Sequence, residues 1–175
     1  MRSNREIVME SVTKYPGLRF HELKKETSIA NGTLQHHISK LITDEDIIAV
    51  YTDKNPRYFQ KGLKDDSAVI INRLRQNTTS KIIKSLLKNR CLSFRQIVNE
   101  SKKSAGTVSI YKNLLLQDRI IIGDTDECES CPDMANKIKY RLTNPEQIQT
   151  IVEEYGRSSL KESADNLADI FLSLK

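Results

Sequence analysis

Cys128 and Cys131 have a spacing that is common among metal ligands and redox-active dithiols. Two thiolates separated by two residues can supply half of a tetrahedral metal site, or can cycle between dithiol and disulfide. A single pair is only half of a zinc site, so an incidental structural role stays open beside the metal and redox alternatives. Cys91 is expected to begin a strand away from this loop and to stay apart from the pair. The sequence assigns no cofactor beyond these alternatives.

A second candidate site lies between residues 31 and 43, where apolar and polar side chains follow helical spacing. Leu34, Ile38 and Leu41 fall on one face of the predicted helix. The opposite face carries residue types that contact DNA bases or phosphates, and the first N–H groups of a helix attract phosphate. The predicted DNA-binding residues are Asn31 (also the expected N-cap), Thr33, Gln35, His36, Ser39 and Lys40, with Lys54 and Arg57 in a following hairpin. A merely solvated helix face is the alternative interpretation.

His36 and His37 are adjacent, which makes them poor partners for one metal ion. Neighbouring residues on a helix point about 100° apart. His37 is expected to be a partly buried packing residue, and Tyr111 takes its place in a second copy of the same pattern.

That second copy is an internal repeat. Residues 8–48 align without a gap on residues 82–122, a shift of 74 residues, with eleven identical positions. Each copy reads as helix, very short strand, helix, turn, helix and two-stranded hairpin. The first copy places helices at 4–14 and about 20–27, a third helix that follows the N-cap Asn31 and runs to about residue 43, and strands at 47–52 and 57–60. The second places helices near 79–89, 93–101 and 104–117 and strands at 119–123 and 137–142.

The segments Gly17–Leu23 and Asn31–Leu41 resemble the helix-turn-helix of MarR/ArsR-type winged-helix regulators. The tandem arrangement resembles archaeal predicted regulators with two such units. The resemblance implies a mainly α fold with small β wings (α+β), built from two tandem winged helix-turn-helix domains and a C-terminal helical tail. It also implies that the third helix of a copy enters the major groove of double-stranded DNA.

The second copy departs from the first at the helix that would read DNA. Ile110 and Leu114 replace His36 and Lys40, which creates an apolar strip on the outward side and favours a protein interface. Its hairpin holds an insertion of eight residues with five carboxylates, which DNA phosphates would repel. The residues that keep a weaker DNA-binding role open in this copy are Thr107, Ser109, Lys112 and Asn113.

The C-terminal residues predict a dimerisation helix. Asn144 and Pro145 are typical of a helix start. Apolar residues then recur at three- and four-residue steps, as in a short coiled-coil seam, although packing against the same chain is the alternative. The residues assigned to dimerisation are Leu160, Leu167, Phe171 and Leu174. The predicted segments are 1–62 (first domain), 63–77 (helical linker), 78–143 (second domain) and 144–175 (helical dimerisation segment).

Charge and composition limit the function classes. The net charge of +5 favours a polyanionic partner, and no apolar run approaches the ~20 residues of a membrane span. The absence of an export signal predicts a cytoplasmic protein. We find no phosphate-binding glycine loop, nucleophile elbow or metalloprotease motif, so no enzyme is predicted. The sequence therefore predicts a homodimeric, DNA-binding transcription regulator, with a winged-helix protein-interaction scaffold as the alternative.

Overall fold

A computed structural model describes residues 2–51, 55–125 and 137–155 of the chain. The chain divides into two compact units: unit 1 extends through Asn72, and unit 2 spans Arg73–Glu154. The predicted α+β fold class is confirmed, because helices dominate both units and the strands form two small antiparallel sheets. The two units are described separately below.

Unit 1 has three helices followed by a hairpin. Its elements are α1 (Asn4–Lys14), α2 (Phe20–Thr27), α3 (Asn31–Thr43), β1 (Ile47–Val50) and β2 (Arg57–Gln60). The next helix, α4 (Asp65–Leu74), lies in the predicted linker and contains the boundary between the two units. The helix bounds agree to within one residue with those expected from the apolar spacing. This order of elements is that of a winged helix.

The hairpin of unit 1 is antiparallel, with Ile47 opposite Gln60 and Val50 opposite Arg57. The very short strand predicted before the second helix of unit 1 is reduced to a single bridge between Leu18 and Tyr58. The reason is that α2 begins at residue 20 with the extended Arg19 as its N-cap, so only Leu18 and Arg19 are left for strand pairing.

The core of unit 1 lies between the three helices and the hairpin. Val8 and Val12 on α1, Leu23 on α2 and Leu34 on α3 have no exposed surface. Each such aliphatic side chain contributes about 1.5–3 kcal/mol through burial, which far exceeds the helix propensity of any one residue. The same cluster also includes Leu18, Ile29, Ile38, Leu41, Ile47 and Tyr58.

Unit 2 repeats this order around a three-stranded sheet. Its elements are α5 (Asn77–Asn89), β3 (Cys91–Ser93), α6 (Phe94–Ser101), α7 (Ala105–Gln117), β4 (Ile121–Asp124) and β5 (Lys139–Leu142). The strand order is β3-β5-β4, with both pairs antiparallel. The contact between Leu92 and Tyr140 in this sheet corresponds to the single bridge of unit 1.

The bounds of the elements recur at a constant offset. α6, α7 and β4 begin and end 74 residues after α2, α3 and β1, whereas β5 follows β2 by 82 residues. Left-handed residues also recur, at Ser28 and Lys102 after the second helix and at Glu45 and Arg119 after the third. The eight additional residues therefore lie inside the second hairpin and leave the pairing of its strands in register.

A short helical segment follows the sheet of unit 2, at residues 145–155. The side chain of Asn144 accepts a hydrogen bond from the N–H of Gln147 at 3.1 Å, as an N-cap does. Ile148 and Ile151 are buried. The dimerisation residues predicted further on (Leu160, Leu167, Phe171 and Leu174) lie outside the described residues.

An aspartate that ends the third helix forms an ion pair in each unit. Arg5 Nη1 lies 2.7 Å from Asp44 Oδ2, with side chains that are 37% and 48% exposed. Arg73 Nε lies 2.5 Å from Asp118 Oδ2, with side chains that are only 5% and 20% exposed. Because the second pair is shielded from water, its loss should cost far more than the loss of the first.

We therefore expect Asp118→Asn to lower the free energy of unfolding of unit 2 by about 3 kcal/mol, since the buried Arg73 guanidinium would lose its counter-charge. Asp44→Asn, at the matching position of unit 1, should cost less than about 1 kcal/mol. Urea titrations read by hydrogen exchange of peptides from each unit would measure both effects. Equal costs for the two variants would contradict this assignment.

Candidate nucleic-acid interface

The connection between α2 and α3 sets the orientation of the candidate DNA-reading helix. α2 ends at Ser28, whose left-handed backbone (φ 55°) turns the chain sharply. Ile29 is buried in the turn, and Ala30 is the N-cap of α3. Leu23 and Leu34, on either side of the turn, are both fully buried. These apolar side chains fix the two helices in a helix-turn-helix arrangement.

The apolar seam of α3 is buried and its polar face is open to solvent. Leu34, Ile38 and Leu41 are the buried residues of the helix. The face opposite them brings together the residues that the sequence predicted for DNA contact. The exposed members of this set are Asn31, Thr33, Gln35, His36, Ser39 and Lys40. These six residues form the α3 polar face.

The side chains of this face offer donors and acceptors to a partner. Lys40 forms no ion pair with any other described residue, so its charge is not neutralised within the described chain. The rings of His36 and His37 meet edge to face, with centroids 5.4 Å apart. His37 is half-buried, and its Nδ1 has no hydrogen-bond partner among the described residues. His36 is therefore the histidine that faces outward.

The N-terminus of α3 differs from the sequence prediction by one residue. Asn31 is the first helical residue and not the N-cap, and Ala30 in the capping position makes no side-chain hydrogen bond. Nothing lies within 4 Å of a Cβ built on Gly32, so the backbone there is open to approach. The first N–H groups of a helix lack partners within the helix and carry its positive dipole end, which suits a phosphate oxygen.

The matching helix of unit 2 is capped by its own side chains. Ser104 Oγ accepts a hydrogen bond from the N–H of Thr107 at 3.3 Å and lies 2.8 Å from Thr107 Oγ1. Thr107, one of the predicted DNA-binding residues, is thereby engaged within the helix start. The N-terminus of α7 is consequently less available to an outside anion than that of α3.

Arg57 was predicted to contact DNA from the hairpin, and this prediction is wrong. The residue is 5% exposed. Its Nη1 donates a hydrogen bond to the carbonyl oxygen of Gly17 at 2.7 Å and lies 3.5 Å from the Glu22 carboxylate. The guanidinium therefore ties β2 to the start of α2 and cannot reach a phosphate. Lys54, the other hairpin residue of the prediction, lies outside the described residues.

Tyr51 is a candidate that the sequence reasoning missed. It directly follows β1, and 69% of its surface is exposed. Tyr58, which lies opposite Ala49 in the hairpin, is 7% exposed, and burial raises the pKa of its hydroxyl, with a smaller contribution from the charge of Tyr51. Because side chains alternate along a strand, Tyr51 falls on the same face as the buried Ile47. The core of unit 1 does not extend as far as Tyr51, so its side chain is exposed. Exposed aromatic rings of this kind can pack against a partner.

The outward surface of α7 carries an exposed isoleucine. Ile110, at the position of His36 in unit 1, is 63% exposed, while Leu114, at the position of Lys40, is half-buried. Ser109 is half-buried and Asn113 is exposed. Of the two residues of the predicted apolar strip, Ile110 is exposed to solvent and Leu114 is half-buried.

Lys112 was also predicted to contact DNA, and the structure places it elsewhere. Its Nζ donates a hydrogen bond to Tyr140 Oη at 3.2 Å. The same ammonium lies 5.0 Å from the centroid of the Tyr140 ring and 5.7 Å from that of Phe94. Ile38 holds the matching position in unit 1 and is buried. In unit 2, Lys112 therefore makes a cation–π contact where unit 1 has an apolar contact. Because its ammonium is held there, Lys112 does not belong to the candidate interface.

The predicted metal or redox pair, Cys128 and Cys131, lies outside the described residues. Cys91 is buried and forms a disulfide. The cysteines from which Cys91 was expected to stay apart lie outside the described residues. Among the described residues, no group of three or more His, Cys, Asp or Glu side chains is placed to hold a metal ion.

Comparison with known proteins supports the interpretation of unit 1. Residues 2–68 match the model of the family HTH_HVO_0163_N, which is described as an N-terminal HTH domain. The match supports a winged helix-turn-helix regulator of the DNA-binding kind. No curated protein matches the chain. Within the described part of the chain, every helix is too short or too polar to cross a membrane.

The position of Arg57 generates a prediction about stability. We expect Arg57→Met to lower the free energy of unfolding of unit 1 by about 1–3 kcal/mol, because the Gly17 carbonyl and the Glu22 carboxylate would lose a buried donor. Gln60→Met, at the exposed end of the same strand, is the control and should change stability little. Thermal unfolding measures both. A large loss of DNA affinity in Arg57→Met without any loss of stability would contradict the structural role.

Proposed function

We propose that this chain is a sequence-specific, double-stranded DNA-binding transcription regulator of MarR/ArsR-like type, in which unit 1 reads DNA. The observation that carries the proposal is the α3 polar face, which stands on a helix whose apolar seam is buried and whose N-terminus lacks a side-chain cap. The family match at residues 2–68 supports the same conclusion.

The roles of the side chains in this proposal follow from their chemistry. Gln35 can donate and accept at one time, which suits a bidentate contact with adenine in the major groove. Lys40 reaches guanine or a phosphate, and Ser39 contacts several bases. The open N–H groups around Gly32 bind a phosphate and fix the position of α3 along the duplex.

The remaining parts of the chain are proposed to serve assembly. In a homodimer formed through the C-terminal segment, two copies of α3 about 34 Å apart would read a pseudo-palindromic site. Unit 2 repeats the winged-helix order of unit 1 as the second of two tandem domains. Its α7 presents Ile110 where α3 presents His36, so this helix is not proposed to read bases.

A protein-interaction scaffold is the second candidate function, and Ile110 is the observation that favours it. An isoleucine that is 63% exposed on a helix surface is more suited to a protein partner than to a phosphate surface. The two candidates predict different responses to salt. DNA binding weakens as counterion concentration rises, whereas contact through an apolar helix face does not.

The proposal is tested by selecting bound fragments from a genomic pool with the full chain and measuring affinity across a salt series. We expect enrichment of particular fragments and affinity that falls steeply with salt. An affinity that does not depend on salt concentration, together with no enriched fragment, would exclude the DNA-reading role and favour the scaffold.

Substitutions on α3 give the sharper test. We expect Gln35→Ala to weaken binding to an enriched fragment by about 1–3 kcal/mol and to relax the preference at one base position. Lys40→Ala should weaken binding to the same fragment. The control is Lys61→Ala, which removes the same charge at an exposed site that pairs with Glu45. An equal loss of affinity in the control and the α3 variants would count against base reading by α3.

A further inference from the structure

The exposed face of α5 in unit 2 carries three lysines in one line. Lys81, Lys84 and Lys88 are separated by three and four residues, which places them on the same side of the helix, and all three are exposed. Asn77 extends the same face toward the helix start and is also exposed. The three lysines are called the lysine stripe below.

Within the part of the chain that the structure describes, no acidic side chain neutralises the lysine stripe. The sequence of α5 contains no aspartate or glutamate. None of the three lysines forms an ion pair with a described residue, whereas Arg73 and Arg141 of the same unit pair with Asp118 and Asp124. The positive charge of the stripe is therefore presented to solvent.

Packing holds the stripe in place, because the opposite side of α5 is buried. Ile82, Ile83 and Leu86 have at most 1% of their surface exposed. The helix therefore cannot rotate about its axis, and its lysines stay on the side that faces solvent. Like charges three or four residues apart cost about 0.2–0.5 kcal/mol per pair. Lys88 lies in the last turn, where the helix dipole favours a cation, but this accounts for only one of the three.

The fold itself does not require these lysines, as the matching helix of unit 1 shows. The positions that correspond to Lys81, Lys84 and Lys88 are Ile7, Glu10 and Lys14. Glu10 there accepts a hydrogen bond from Arg2 at 2.8 Å, so that α1 has a mixed and internally paired surface. Two units with the same order of elements thus carry different charge on the same helix.

We propose that the lysine stripe binds the phosphate backbone of double-stranded DNA. Seven residues of helix span about 10.5 Å, and phosphates of one strand are spaced at about 3.4 Å along the duplex axis, so the stripe can contact about three phosphates. Lysine binds phosphate as a point charge, and a contact to phosphate carries no sequence information, so unit 2 adds affinity without sequence preference.

The inference rests on the proposed function, since it takes double-stranded DNA as the polyanion that the chain already binds. An anionic membrane is less suited to this surface. Helices that lie on membranes insert an exposed apolar face, whereas the apolar face of α5 is buried inside unit 2. The binding partner is therefore assigned by charge complementarity together with the lack of an apolar flank.

The test is the full chain with Lys81→Gln, Lys84→Gln and Lys88→Gln combined. We expect affinity to fall by the same factor for enriched and unrelated duplexes, which leaves their ratio unchanged. The slope of log affinity against log salt should become shallower by roughly 2–3, at about 0.9 per lost phosphate contact. The corresponding Lys→Arg triple should retain the wild-type slope, because it keeps the charges.

A control triple, Lys14→Gln, Lys61→Gln and Lys64→Gln, removes the same charge from exposed sites in unit 1 outside the α3 polar face. An unchanged slope in the stripe triple, or an equal change in the control triple, would overturn the inference. So would a stripe triple that keeps its affinity for DNA but no longer binds vesicles of anionic lipid. Should the stripe triple fail to fold, the single variant Lys84→Glu replaces it, and an unchanged slope in that variant overturns the inference.

The experiment separates this inference from the proposed function. If Gln35→Ala relaxes base preference while the stripe triple keeps the wild-type slope, only the inference about α5 fails. If the unmodified chain shows neither salt-dependent affinity nor enriched fragments, the DNA-binding function fails and the inference fails with it.

Discussion

The burial of one apolar seam on α3 is the constraint on which the candidate interface depends. Once Leu34, Ile38 and Leu41 pack into the core, the helical period leaves the polar residues no position except the outward face. The sharp turn at Ser28 and the buried Ile29 then fix how α3 follows α2. The chemistry offered to a partner is thus a consequence of hydrophobic packing, and no single polar side chain has to be oriented by hydrogen bonds.

The same constraint operates in unit 2 with a different outcome. Val108 and Leu115 are buried as their counterparts in unit 1 are. Lys112 stands where Ile38 would complete the seam, and its ammonium lies over two aromatic rings. Unit 2 thus keeps its fold with a changed residue in the seam, Lys112 for Ile38, and with a changed residue on the surface, Ile110 for His36. In unit 2, three exposed lysines lie on α5, whereas the third helix exposes Ile110.

Much of the fold could be predicted from the sequence because its elements follow strong periodic patterns. The bounds of α2 and β2 agree with the expected ones, those of α3 agree to within one residue, and the repeat predicted the corresponding elements of unit 2 closely. The α3 polar face was predicted for the same reason, since exposure along an amphipathic helix follows from the positions of its apolar residues.

The failures concern residues whose surroundings come from distant parts of the chain. Arg57 looks like a free cation in a hairpin, but the carbonyl that it binds lies 40 residues earlier. Lys112 looks like an outward lysine, but its partner Tyr140 follows 28 residues later. Local spacing carries no information about either contact. Asn31 failed for a different reason: the N-cap is the adjacent Ala30, and a one-residue boundary is beyond what side-chain preference decides.

The second hairpin has a longer connection than the first, because β5 follows β2 by 82 residues whereas the elements before it follow their counterparts by 74. Strands β4 and β5 stay paired across a connection eight residues longer than that of unit 1. Lengthening a surface loop costs little, about 0.6 kcal/mol for each doubling of its length. The pairing of β4 and β5 therefore tolerates a change in the length of the chain that joins them. One copy of a duplicated unit can in this way gain sequence that the other copy lacks, without a change in the register of its sheet.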